Sequence, residues 1–187
     1  MSVALEDKFR WNKKYLQNEA MSSEPIDLVK YYHVLAHRGV ALDIACGMGR
    51  HSKFLANNEF MVDALDISEV ALDHLTQIDN INIRDVDLDE FDLARDMYDL
   101  VVCTYYLNRQ MFPSIVEAMR SEAILIFETF VDHPQNTKVP SKAEYLLAQN
   151  ELKNSFSDLE LIYYDEWWDT TAQNDKALKA SLVAKKR

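Results

Sequence analysis

Read for hydrophobic periodicity alone, the chain alternates short apolar runs with amphipathic ones. Val40–Ile44, Met61–Leu65, Ile81–Ile83, Tyr98–Thr104 and Ala123–Phe130 are apolar segments bounded by polar or glycine-containing turns, the pattern of buried strands. After Ser23-Glu24-Pro25, Leu28, Tyr32 and Leu35 recur at helical spacing. This predicts a helix with a capping serine and a proline in its first turn, ended by Gly39. Arg50–Ala56 predicts a second helix with Asn57-Asn58 as a left-handed cap. Ser68 caps a third helix to about Leu75, and Pro113 opens a fourth to about Arg120. A loop with Pro134 and Pro140 leads into helical segments between Ser141 and Phe156. Leu159–Trp168 and Ala177–Ala184 then read as two strands, and the loop of about eight residues between them permits an antiparallel hairpin. Strands alternating with helices predict an α/β fold with a largely parallel sheet.

Composition narrows the class. A chain of 187 residues, 48% hydrophobic, fits one globular domain over 1–187, with residues 1–38 as a helical amino-terminal cap segment. The longest apolar runs, such as Ala123–Phe127, are too short to span a bilayer, and the start MSVALEDKFRWNKKY is too polar for a secretion signal. Two cysteines without metal-type spacing suit a reduced, cytoplasmic compartment. Lys plus Arg number 20 against 31 Asp plus Glu, a net charge of −11, which disfavours nucleic acid as a partner. The one basic cluster, Lys185-Lys186-Arg187, reads as a solvated tail.

The candidate chemistry lies at the strand ends. In ALDIACGMGRHS, Asp43 closes the first strand and Gly47 and Gly49 follow before the next helix. Glycines let the backbone turn sharply against a ligand, and the helix presents free N–H groups. Asp66 ends the second strand, where a carboxylate accepts from ribose hydroxyls, and Asp87 follows the third, where one meets an adenine amino group. Three acids in this order point to an adenosine-type cofactor. Ser52 in the third small position would suit a dinucleotide, but Asp43 interrupts the first strand and suits a ligand carrying an ammonium group.

With these residues in view, the sequence resembles the class I S-adenosylmethionine (SAM)-dependent methyltransferases. ALDIACGMGRHS is similar to their first motif, DALDIS to the second, DVDLDEF to the adenine-contacting motif and YDLVVCTYYLNR to the fourth strand and start of the substrate site. WNKKY, YYLNR, LIFETF and YLLAQNEL make it most similar to the tellurite-resistance-like branch. The resemblance implies a Rossmann-like three-layer sandwich, a seven-stranded, mostly parallel sheet with an antiparallel last strand. It implies SAM as cofactor, with Asp43 and Ala45, Cys46, Gly47 and Gly49 along the methionine part, Asp66 and Ile67 at the ribose, and Asp87 and Leu88 at the adenine. Thr104 then stands beside the methyl, Trp11 and Tyr15 belong to a closing segment, and Arg50 begins the following helix. Three positions depart from the pattern: Ala45 replaces a first glycine, Glu59 stands where a glycine precedes the second strand, and Ser121-Glu122 replaces a Pro-Gly-Gly turn.

Methyl transfer needs a nucleophile held in line and dry, and a base only where the nucleophile arrives protonated. Tyr106 and Arg109 are the candidate catalytic residues, beside Tyr105 and Asn108. Glu128, Thr129 and His133 end or follow the fifth strand. Cys103 reads as a buried hydrophobe and Trp167-Trp168 as sheet-edge packing. His33 and His37, lacking a third ligand, predict no metal site. The acids of Asp85–Asp96, apart from Asp87, read as a solvated loop. The leading expectation is a small-molecule methyl acceptor; the resemblance adds a thiol or chalcogen species. A protein or peptide acceptor and a non-catalytic SAM-binding regulator are the alternatives, with a nicotinamide oxidoreductase last.

Overall fold

The computed structural model describes residues 3–17 and 22–187, so part of the expected amino-terminal cap lies outside the described residues. Seven strands, β1 (Val40–Ile44), β2 (Met61–Asp66), β3 (Ile81–Asp85), β4 (Tyr98–Thr104), β5 (Met119–Phe130), β6 (Glu160–Thr170) and β7 (Lys176–Lys185), form one sheet in the order β3-β2-β1-β4-β5-β7-β6. β1 to β5 pair in parallel. β7 runs antiparallel to both β5 and β6, the arrangement expected. The helices are α1 (Val3–Leu16), α2 (Asp27–Tyr32), α3 (Arg50–Asn57), α4 (Glu69–Leu72), α5 (Phe112–Ala118) and α6 (Glu151–Ser155).

Strand side chains alternate between faces, and both faces are covered, which is why the central strands are apolar throughout. Leu42, Ile44, Val101, Cys103, Leu125 and Phe127 pack on one side against Phe112 and Ile115 of α5 and Leu152 of α6. Ala41, Leu100, Val102, Ile124 and Ile126 pack on the other against Val29 of α2 and Leu55 of α3. Three layers result.

Several local expectations change. α2 begins at Asp27 with Ile26 at its N-cap and no side-chain cap, so Ser23 does not cap it and Pro25 lies before it. Asn58 has φ −103°; the left-handed residue of that turn is Glu59, at φ 69°. Glutamate thus occupies the glycine position without the turn being lost. α5 ends at Ala118 and β5 begins at Met119. A register shift lies between Tyr98 and Leu100, and Glu122, at φ 70°, donates its N–H to Lys186 O at 2.8 Å. The β6–β7 turn shortens to 171–175 because both strands extend beyond their apolar positions. Ser68 does cap α4, accepting from Ala71 N at 3.2 Å. The basic tail is not simply solvated: Lys186 Nζ donates to Val116 O at 2.9 Å and Met119 O at 2.7 Å, satisfying carbonyls at the end of α5.

Candidate functional site

The sheet order reverses between β1 and β4, and a parallel sheet opens a crevice at its carboxyl edge where that happens. A cavity of about 730 Å³ lies there. Of the residues singled out from the sequence, Trp11, Tyr15, Ala45, Cys46, Gly47, Arg50, Asp66, Ile67, Asp87, Leu88, Thr104, Tyr106 and Arg109 line it, whereas Asp43 and Gly49 do not.

The β1–α3 loop shapes one wall. Ala45, Gly47 and Gly49 all take left-handed backbone, at φ 53°, 55° and 74°. At Gly47 a Cβ would also stand 2.7 Å from Tyr15 Oη, so the loop and the buried end of α1 meet with no room for a side chain. Asp66 knits the loop to β2: its carboxylate accepts from Gly47 N and from Ser68 N, each at 2.8 Å. Burial raises its pKa, and those N–H donors act against the rise. α1 lies over this edge. Lys8 pairs with Asp85 at 2.6 Å and Glu69 at 3.3 Å, and Ser68 Oγ donates to Asn12 Oδ1 at 2.6 Å. Trp11 and Tyr15 stack at 5.9 Å on the cavity side.

Asp43 sits behind the wall, 1% exposed, where Ser52 Oγ donates to it at 2.6 Å. Desolvation pushes its pKa up to about 7 against the pull of Ser52 and Arg50. His51 is buried as well, and desolvation pushes it down to about 3. The neutral ring accepts from Ile26 N at 3.4 Å, and its other nitrogen lies 3.5 Å from Thr104 Oγ1. It thereby ties the start of α2 to the end of β4.

Beyond β4 the chain turns sharply. Tyr105 takes φ 59°, a conformation that costs a tyrosine about 1–3 kcal/mol unless its surroundings fix it. Its hydroxyl donates to Glu128 Oε1 at 2.7 Å and accepts from Lys179 Nζ at 3.0 Å. Burial pushes the phenol up to about 12. Ser181 Oγ donates to Glu128 Oε2 at 2.7 Å, and Lys179 also reaches Asp169 at 2.6 Å. Asn108 Nδ2 donates to Asp89 at 2.8 Å, and the Tyr106 hydroxyl lies 3.5 Å from the same oxygen.

Arg109 requires a correction. Its guanidinium donates to both oxygens of Glu151 and to the carbonyls of Glu144 and Leu146, the last two at 2.8 Å. With four donors so engaged, it clamps the 142–147 segment over the cavity mouth and has no bidentate face left for a substrate. Thr129 is buried and His133 packs edge-on against Trp168 at 5.0 Å. His33 bonds the carbonyls of Val29 and Lys30, and His37 lies past the helix end, exposed. Among the described residues no cluster of metal-type ligands occurs, and no helix is long and apolar enough to cross a membrane.

Met48, inside the expected loop, lines the cavity too, as do Asp89, Lys142, Glu144 and Tyr145, which no motif marks. Asp89 hid in the acidic run, which is not one solvated loop: Asp85 pairs with Lys8 and Asp89 with Asn108. The 142–145 segment carries no periodicity, so nothing local marks it. Lys179 and Ser181 alternate with apolar residues on β7, the available signal that they face something polar.

A doubly wound sheet with β7 antiparallel between β5 and β6, a glycine loop after β1 and an acid at the end of β2 form the methyltransferase fold, and the family match makes the chain a SAM-dependent methyltransferase. Within that class the chain belongs to the tellurite resistance protein TehB family, whose profile matches residues 3–180. It is 27% identical to a protein of Haemophilus influenzae described as a probable S-adenosyl-L-methionine-dependent methyltransferase TehB, over 97% of this chain and 67% of that one. The crystal structure of TehB from Haemophilus influenzae superposes with a TM-score of 0.76 at 21% identity, covering 95% of this chain and 67% of that one. The chain thus spans about two thirds of the length of this relative. The [4+2]-cyclase SpnF shares the fold at a TM-score of 0.73 and 12% identity, covering 99% and 97%.

Proposed function

We propose that the chain acts as one catalytic domain over 1–187, transferring the methyl group of SAM to a small soft nucleophile such as a thiol or another chalcogen species. One observation carries this reading: all the residues expected at the cofactor except Asp43 and Gly49 line a single cavity of about 730 Å³, within the usual range for small-molecule sites, at the sheet's switch point. The donor set fits the cofactor. Asp66 keeps lone pairs free for ribose hydroxyls, Asp87 stands at the mouth beside the apolar Leu88 for adenine, and Arg50 offers a cation for a carboxylate. Ala45, Cys46 and Gly47 would hold the methionine part, Ile67, Trp11 and Tyr15 would cover the nucleoside, and Thr104 would stand at the reacting end. Bound SAM supplies an already activated methyl, so these residues hold it, orient the acceptor and exclude water.

The cover of α1 and the clamped 142–147 segment favour a small acceptor over a protein chain. SAM titration by calorimetry, with wild type and Asp66→Ala, tests the cofactor site. Removing a charged acceptor costs about 1.5–3 kcal/mol, roughly 10- to 150-fold in Kd. Incubation with labelled SAM and small thiols then tests the acceptor. Label in proteins of an extract, with thiols inert, would favour a protein substrate. SAM binding without any methylated product would favour a regulatory binder. A folded protein that does not bind SAM would refute the proposal.

A further inference from the structure

A second cavity of about 340 Å³ adjoins the first and shares Ser22, Arg50 and Tyr105 with it. Its walls include Ile26 and Leu28 from the start of α2 and Trp167 from β6, and Glu128 lines it from β5. Glu128 is 3% exposed, and each of its oxygens takes one hydroxyl, from Tyr105 and from Ser181, at 2.7 Å. A carboxylate has about four lone-pair sites, so each oxygen keeps accepting capacity.

We propose that this second cavity is the acceptor site, that the acceptor enters as a neutral, protonated thiol, and that Glu128 takes its proton during methyl transfer. This rests on the methyltransferase reading above and deepens it. Glu24, Asp27 and Glu128 line the cavity; Lys30 pairs with the first two at 3.9 and 3.4 Å, Lys179 is bound to the Tyr105 hydroxyl at 3.0 Å, and Arg50 at the shared wall is the cation assigned above to the cofactor carboxylate, so among the described residues no uncommitted cation is left to draw in a thiolate or an oxyanion. Aromatic and aliphatic walls from Trp167, Tyr105, Ile26 and Leu28 suit a polarizable sulfur. As sulfur attacks, a new S–C bond forms and the C–S⁺ bond of SAM breaks, its electron pair returning to the cofactor sulfur. The S–H electron pair stays on the acceptor sulfur and the proton passes to Glu128.

The geometry around Glu128 is over-determined. Lys179, from the strand paired with β5, holds the Tyr105 hydroxyl from one side while Glu128 holds it from the other, at 3.0 and 2.7 Å. Ser181, directly opposite Glu128 in the ladder, in turn accepts from Trp167 Nε1 at 2.8 Å. The base, the left-handed Tyr105 and the indole wall are thus one hydrogen-bonded unit.

Two measurements test this. In the first, Glu128→Gln is compared with wild type for methylation of an alkyl thiol, 2-mercaptoethanol, between pH 6 and 9, with SAM affinity measured on the same samples. A lost general base lowers kcat/KM by about 10²-fold or more at pH 7, and the residual rate rises with thiolate fraction. SAM affinity stays within about twofold. A loss that is the same at every pH, or that tracks lost SAM affinity, means a structural role and overturns the proposal, as does no loss. In the second, the indole N–H resonance of Trp167 is followed in wild type saturated with S-adenosylhomocysteine while the thiol is added. The resonance moves if the thiol occupies the second cavity; a still resonance at thiol concentrations that saturate turnover with SAM overturns the assignment. Wild type that binds SAM but methylates no thiol sinks the acceptor class and this inference together, leaving the cofactor site standing.

Discussion

A charge on Asp43 should cost the folded protein stability at neutral pH. Its carboxyl is 1% exposed and its one side-chain hydrogen bond comes from Ser52. Desolvation lifts its pKa from 3.8 to about 7. Below pH 4 the group is protonated in both folded and unfolded chains and contributes nothing. Between pH 4 and 7 the folded chain keeps the proton that the unfolded chain releases, so stability falls as pH rises. Above pH 7 the deficit is constant. Roughly three pH units at about 1.4 kcal/mol each set it at about 4 kcal/mol. Asp43→Asn is neutral throughout and its amide oxygen still accepts from Ser52. Urea unfolding of both proteins from pH 4.5 to 8.5 should show nearly equal stability at the acid end. By pH 8 the variant should lead by up to about 4 kcal/mol, about 8–16 °C in Tm for a chain of this size. Parallel curves, or a wild type more stable than the variant at pH 8, would refute the reasoning.

Two further predictions concern the cavity walls. Gly47→Ala forces alanine into left-handed backbone at a cost of about 1–2 kcal/mol and drives a methyl against Tyr15. It should lower Tm and weaken SAM binding, with a change in tryptophan fluorescence as Trp11 is displaced; unaltered Tm and affinity would count against the packing of α1 on the loop. Arg109→Gln should speed proteolytic cleavage within 142–147 and weaken SAM binding, since that segment lines the cofactor cavity and not the second one, with acceptor KM at saturating SAM changed less. Because that pair is partly exposed, global stability should drop by no more than about 1 kcal/mol. A rise in acceptor KM with SAM affinity unaltered would count against an acceptor site in the second cavity.

The fold was readable because its central strands are buried on both faces and so appear as unbroken apolar runs between punctuating turns. The place of Asp66 and Gly47 on the cavity wall was readable because it depends on position relative to a strand end, which the sequence preserves. Arg109 was misjudged because its partners, Glu151 and the carbonyls of Glu144 and Leu146, lie some forty residues on in a segment without periodicity. Asp43 looked like a cofactor contact because a strand-end acid normally faces the crevice; one turn of α3 brings Ser52 to it and closes it off. The partnership of Glu128 with Tyr105, Lys179 and Ser181 depends on the β5–β7 register, which no local pattern encodes.

That register also dictates an order of assembly. β6 touches the rest of the sheet only through β7, yet β7 follows it in the chain. As the polypeptide leaves the ribosome, β6 emerges with no edge to join, and β5, paired with β4 on one side, presents its other edge open along Ile124–Phe130, until Lys176–Lys185 slides between them. Both strands are adhesive in that interval, the condition under which nascent chains pair with the wrong neighbour. The acids spaced along β6, Glu160, Asp165, Glu166 and Asp169, leave that waiting strand charged and poor at self-association.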